Sequence, residues 1–151
     1  MRTYVGGTFD LLHVGHVRLL ERAAQLGEVI VAVNTDKFAA RYKRQPVVPL
    51  DQRIEMLRAL RCVHTVIVNT DGEDSKPAIL LAKPRYIVHG DDWTGDSYMA
   101  QLGVTPAWLE EHGIDLVYLS YTGGVSTTGL LRKAQEIDHG LHNKWVTWPS
   151  R

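Results

Sequence analysis

Apolar residues in this chain fall into two alternating patterns. Runs such as Val29-Ile30-Val31-Ala32-Val33, Val66-Ile67-Val68 and Ile87-Val88 are apolar at consecutive positions, as in strands covered on both faces of a parallel sheet. They predict strands at Thr3 to Gly6, Glu28 to Asn34, Thr65 to Asn69, Tyr86 to His89 and Asp115 to Ser120. Between them apolar positions recur at helical spacing, as Val17, Leu20, Ala23 and Ala24 do with Arg18, Glu21, Arg22 and Gln25 interleaved. The spacing predicts helices at Val14 to Leu26, Asp51 to Arg61, Lys76 to Ala82 and Pro106 to His112, and a last one from about Ser126 to Ile137. Gly27 and Gly113 read as stops, and Asp51 with Gln52 after Pro49 as a start. Gly90 to Thr105 shows no period and reads as a long connection of the kind that often carries function.

Strands alternating with helices imply an α/β fold with a parallel sheet covered on both faces. Such sheets bind ligands at the carboxyl ends of their strands, where the strand order reverses. With the order 3-2-1-4-5 the reversal falls between the first and fourth strands. The segments that emerge there are Gly6-Gly7-Thr8-Phe9-Asp10-Leu11-Leu12-His13-Val14-Gly15-His16 and Gly90-Asp91-Asp92-Trp93.

Composition narrows the chemistry. The 151 residues suit one domain, read as 1–138, with a tail at 139–151 whose Trp145 and Trp148 pack on the domain or on a second subunit. The 17 basic and 17 acidic residues cancel, so no global field draws the chain to nucleic acid or membrane, and any polyanion must be met by a local cluster. One cysteine, Cys62, allows no internal disulfide and fits packing in a reducing compartment. With no leader-like segment and no apolar run near twenty residues, the expected location is cytoplasmic.

Four clusters then stand out. In the first, the glycine pair permits a sharp turn and close approach to a ligand, and His13-Val14-Gly15-His16 opens a helix whose unpaired N–H groups favour phosphate. Metal binding is the competing reading, but no Cys, Asp or Glu stands at ligand spacing beside the two histidines. The second, Arg41-Tyr42-Lys43-Arg44, offers cations for a triphosphate, or else a solvated surface loop. The third is Asp91-Asp92-Trp93: carboxylates for a base, a ribose or magnesium and an indole for stacking, or an acidic turn with a hydrophobic plug. The fourth, Gly123-Gly124-Val125-Ser126-Thr127-Thr128, is an anion cradle, a helix cap, or both. Arg53 and Arg61, eight apart on the expected second helix and so about 80° apart around its axis, either reach inward to phosphate or are ordinary exposed arginines.

Taken in chain order, Gly7-Thr8-Phe9-Asp10 with His13 and His16, Asn34-Thr35-Asp36, Arg53 and Arg61, Gly90-Asp91-Asp92-Trp93 and Val125-Ser126-Thr127-Thr128 resemble the cytidylyltransferase family of HxGH nucleotidyltransferases. The resemblance implies a Rossmann-like doubly wound fold, often a homodimer. It also implies transfer of CMP from CTP to sn-glycerol 3-phosphate, with Mg²⁺ and release of pyrophosphate. By that likeness His13 and His16 contact the triphosphate, with Lys43 and Arg44 as further catalytic cations. Gly7, Thr8, Phe9, Asp10 and Gly15 line the nucleotide site, with Asp92 and Trp93 near cytosine. Ser126, Thr127 and Thr128 hold phosphates, and Asp36, Arg53 and Arg61 serve phosphate or substrate. Three departures accompany it. Tyr42 and Arg44 stand in the basic loop where the family has Lys, leaving Lys43 offset by one. Tyr121 stands where the family has a phosphate-directed Arg, and Arg44-Gln45-Pro46-Val47-Val48-Pro49-Leu50 looks more like adenylyltransferases that activate sugar phosphates.

Overall fold

The computed structural model describes residues 1–90, 95–120 and 122–142. Five parallel strands form one sheet in the order β3-β2-β1-β4-β5: β1 (Arg2–Gly7), β2 (Glu28–Asn34), β3 (Val63–Asn69), β4 (Tyr86–Gly90) and β5 (Asp115–Leu119). This is the doubly wound α/β arrangement read from the sequence, with the reversal between β1 and β4. Helices connect the strands: α1 (Val14–Ala24), α2 (Asp36–Tyr42), α3 (Leu50–Arg58), α4 (Lys76–Ala82), α5 (Gly95–Leu102), α6 (Pro106–Glu111) and α7 (Thr127–His142).

Alternation along each buried strand divides the core in two. Tyr4, Ile30, Ala32 and Ile87 point to one face, where Ile79 of α4, Tyr98 and Leu102 of α5 and Leu109 of α6 cover them. Their neighbours Val5, Val29, Val31, Val33 and Val88 point to the other, under Leu20 and Ala23 of α1 and Leu57 of α3. Period-2 side-chain direction thus explains why the strands read as continuously apolar.

Several expectations need correction. The second predicted helix ends at Arg58, so Arg61 is not on it. Gly90 to Thr105 is not an open connection, because α5 occupies Gly95–Leu102; only Tyr98 and Leu102 are buried on it, too few positions to show a period. The segment around Arg41 is the end of α2, capped by Thr35 Oγ1, which accepts from Phe38 N at 3.1 Å. The last helix runs five residues beyond the expected Ile137, to His142, and Trp145 and Trp148 lie outside the described residues. Among the described residues no helix is long and apolar enough to cross a membrane.

Helix α4 offers a direct check on this layering. Ile79 is wholly buried whereas Leu81 is 67% exposed. Ile79→Ala is expected to lower unfolding free energy by about 2–5 kcal/mol in urea titration, and Leu81→Ala to stay within about 0.5 kcal/mol of the wild type.

Candidate active site

At the carboxyl end of β1 the chain turns without using glycine for the unusual dihedrals. Phe9 and Leu11 take them, with φ of 54° and 47°. Gly6 and Gly7 are needed for space instead: a Cβ at Gly6 would stand 3.0 Å from the Tyr4 ring, and one at Gly7 3.0 Å from the Phe9 ring. This corrects the expectation that the glycine pair makes the turn, since both lie in extended β1, where they line the cavity described below.

The tetrad forms a reciprocal cap on α1. His13 Nδ1 accepts from Gly15 N at 3.1 Å, and His16 Nδ1 accepts from His13 N at 3.2 Å. A backbone N–H can only donate, so each Nδ1 must present a lone pair and each neutral ring carries its proton on Nε2. The rings stack with centroids 3.8 Å apart, and Phe9 packs on His16 at 5.4 Å. Burial, then the neighbouring His13, push the His16 pKa down to about 4 against the opposing pull of Asp10. Burial also lowers that of His13. At neutral pH both rings are uncharged Nε2–H donors.

A cavity of about 250 Å³ opens beside His16, bounded by Gly6 to Asp10, the end of α2 with Tyr42, Lys43 and Arg44, and the start of α7. Each hydroxyl at α7 has a protein partner and a free valence. Ser126 Oγ accepts from Gly129 N at 3.0 Å, Thr127 Oγ1 donates to Asp10 O at 2.8 Å, and Thr128 Oγ1 accepts from Arg44 Nη1 at 3.0 Å. Ser126 is therefore the cap of α7, and its O–H, like that of Thr128, remains available to donate. Thr8 Oγ1 accepts from Asn34 Nδ2 at 3.3 Å and is left in the same condition. Lys43 is exposed and lines the cavity.

Other expected site residues turn out to build the site rather than face a ligand. Arg53 is wholly buried: Nε donates to Val48 O at 2.9 Å, Nη1 to Thr8 O at 2.5 Å and Asn34 O at 3.0 Å, and Nη2 to Asp36 Oδ1 at 2.6 Å. Its fork is engaged by the protein, which corrects the reading of an arginine directed at phosphate. Asp36 also accepts from Leu50 N at 3.3 Å, at the helix start that Pro49 leaves without a side-chain cap. Asp10 lines the cavity, yet its carboxylate accepts from Leu11 N, Val47 N and Val48 N at 3.1, 2.9 and 2.9 Å. The Gly15 N–H goes to His13. Arg61 is exposed just before β3 begins, at the amino edge of the sheet and away from the cavity. Asp92 and Trp93 lie outside the described residues.

Sequence reasoning missed three lining residues, Ala39, His89 and Gln101. His89 could have been found, as it ends a predicted strand on the binding edge; Gln101 lies in a segment with no periodic signal. Among the described residues no group of three or more His, Cys, Asp or Glu is placed to hold a metal ion.

A doubly wound sheet with a neutral imidazole, hydroxyls and cations around a cavity at its switch point defines a nucleotide-handling α/β protein of the nucleotidyltransferase type. The chain belongs to the cytidylyltransferase-like family, whose model matches residues 4–133. It is 36% identical over 139 residues to an FAD synthase of Pyrococcus abyssi, covering 91% of this chain and 94% of that protein. It is 37% identical over 123 residues to a glycerol-3-phosphate cytidylyltransferase of Bacillus subtilis, covering 81% and 88%. A bifunctional protein HldE of Streptomyces coelicolor is 41% identical over 136 residues, but the chain spans only 28% of its length. Among solved structures, a lipopolysaccharide core biosynthesis protein of Thermoplasma volcanium superposes with a TM-score of 0.67 at 25% identity, covering 81% of this chain and 98% of that one.

Two stability measurements follow from this geometry. Arg53→Met leaves three carbonyls and Asp36 without their donor and is expected to destabilise by about 3–5 kcal/mol in urea titration. Because His16 is held neutral in the fold while an unfolded histidine protonates near 6.5, stability should fall as pH drops from about 6.5 to about 4. Thermal melts of His16→Asn across that window should show a shallower fall.

Proposed function

We propose that the chain is a cytidylyltransferase that moves CMP from CTP to a phosphorylated small alcohol, foremost sn-glycerol 3-phosphate, and releases pyrophosphate. The observation that carries this reading is the reciprocal histidine cap, which leaves the proton of His16, the member of the pair that lines the cavity, on Nε2. The choice of cytidine and glycerol phosphate rests on family membership and on likeness to the Bacillus subtilis enzyme.

An acceptor phosphate oxygen attacks the α-phosphorus, the bond from that phosphorus to the bridging oxygen breaks, and pyrophosphate leaves with the electron pair. The nucleophile is anionic at neutral pH, so no general base is required, and catalysis rests on positioning and charge stabilisation. His16 holds its proton on Nε2 and donates it as a hydrogen bond to phosphate oxygen. Ser126, Thr128 and Thr8 add hydroxyl donors, and Lys43 and Arg44 add positive charge. A divalent cation finds no ready-made cage among the described residues, since the Asp10 carboxylate is engaged by backbone N–H groups. Magnesium, brought in with the nucleotide, would add positive charge to that of Lys43 and Arg44.

A second reading, an adenylyltransferase acting on a sugar phosphate or a flavin phosphate, is favoured by the Arg44 to Leu50 segment and by likeness to an FAD synthase over 91% of the chain. Pyrophosphate release with each of the four nucleoside triphosphates against glycerol 3-phosphate, a sugar 1-phosphate and FMN separates the two. CTP with glycerol 3-phosphate is expected to be fastest, and a preference for ATP overturns the first reading. His16→Ala should lower kcat about 10²–10³-fold while nucleotide affinity changes little; near-normal turnover in that variant would refute the role given to His16.

A further inference from the structure

Residues that line the cavity include two with a buried polar atom that makes no hydrogen bond to a described residue, Arg44 at Nε and Gln101 at Oε1. Gln101 Oε1 is buried and makes no hydrogen bond to any described residue, although buried amide oxygens are ordinarily paired. Gln101 sits on α5 between the two buried anchors of that helix, three residues after Tyr98 and one before Leu102. Tyr98 stacks on His89 at the end of β4, with centroids 3.8 Å apart and planes 10° from parallel, and meets Tyr118 of β5 edge-on at 6.4 Å. Aromatic packing of this kind pins α5 to the sheet edge and fixes where the Gln101 side chain starts.

Gln101 also lines a second, outer cleft of about 410 Å³, together with Phe38, Arg41, Tyr42, Glu73 and Ala100. Only Tyr42 and Gln101 are common to this cleft and the main cavity, so the two residues form the threshold between them. Tyr42 is held there by stacking on Phe38, with centroids 5.8 Å apart. The outer cleft is bounded by α2, the turn after β3 and α5, on the β2 and β3 side of the sheet. The hydroxyls of α7 follow β5, on the opposite side. In-line displacement needs the nucleophile and the departing pyrophosphate on opposite sides of the reacting phosphorus. A nucleotide gripped from the β5 side leaves the outer cleft for the body of the second substrate.

We propose that Gln101 is the acceptor-specificity residue of this site. Its amide oxygen accepts a hydrogen bond from a hydroxyl on the carbon skeleton of the acceptor, and the remainder of that skeleton occupies the outer cleft between Arg41 and Glu73. The class of acceptor this selects is a polyhydroxylated phosphate monoester. The proposal rests on the reading of the cavity as a nucleotidyl-transfer site, but not on which nucleoside triphosphate is used.

The test compares wild type, Gln101→Leu and Gln101→Glu with glycerol 3-phosphate and with propyl phosphate, which keeps the carbon count and the phosphate but lacks both hydroxyls. The nucleotide is whichever the wild type turns over. A site built to pair with a hydroxyl rejects the analogue lacking it, so wild type should favour glycerol 3-phosphate in kcat/KM by about tenfold or more. Gln101→Leu should lose most of that preference with the nucleotide KM changed less than about twofold, and Gln101→Glu, an acceptor of equal length, should keep it. If Gln101→Leu does not fold, Gln101→Ala carries the same comparison. A rise in nucleotide KM instead, or a preference intact in Gln101→Leu, overturns the proposal alone. So does a lowered melting temperature with unchanged kinetics, which would assign the amide to the small 20 Å³ space that Gln101 shares with Tyr4, Asn69 and Tyr98. Absence of turnover by wild type with every nucleotide overturns the parent reading, and this one with it.

Discussion

The guanidinium of Arg53 is the interaction on which the site geometry depends. It reaches from α3 to the carbonyl ends of two adjacent strands at Thr8 and Asn34, to the loop carbonyl of Val48 and to Asp36 at the start of α2. A planar fork of donors suits this better than any other side chain, because it can satisfy several carbonyls at fixed angles while staying charged. Burying such a charge is unfavourable unless it is fully partnered, and that requirement makes the four segments hold one mutual arrangement.

Around that node the polar groups of the switch point are layered. Asp10 binds the backbone of Val47 and Val48, Thr127 binds the carbonyl of Asp10, and Arg44 binds Thr128. The loops after β1, β2 and β5 are thereby tied together, and the tie from Arg44 leaves the O–H of Thr128 free to donate. A neighbouring chain of two amides between two hydroxyls, Thr8 to Asn34 to Asn69 to Ser75, links the ends of β1, β2 and β3 in the same way. The wall of the cavity is preorganised by the contacts that close the fold.

The histidine pair shows how one device serves local structure and chemistry together. Capping with imidazole rather than with Ser or Asp satisfies the α1 N-terminus and sets the tautomer of both rings. Holding His16 neutral keeps it a hydrogen-bond donor at pH 7, a role that protonation would disturb by placing an N–H on Nδ1 against the backbone N–H of His13. Charge in the site then comes from Lys43 and Arg44, on the segment that connects α2 to α3.

Much of the fold and part of the site were legible in the linear chain. Five apolar runs marked the strands, helical spacing marked α1, α3, α4, α6 and α7, and the tetrad lay at a helix start as its neighbours implied. Helices α2 and α5 were not legible, because each buries only two side chains and a period needs more positions than that to be seen. Local pattern records which face of an element meets the core, since that depends on neighbours a few residues away. It does not record that Arg53 would find Asp36 and Thr8, 17 and 45 residues distant, rather than a phosphate. Nor does it record that Gln101 would stand at the threshold of a cavity. Those outcomes belong to packing, which alone decides whether a polar side chain meets protein or open space.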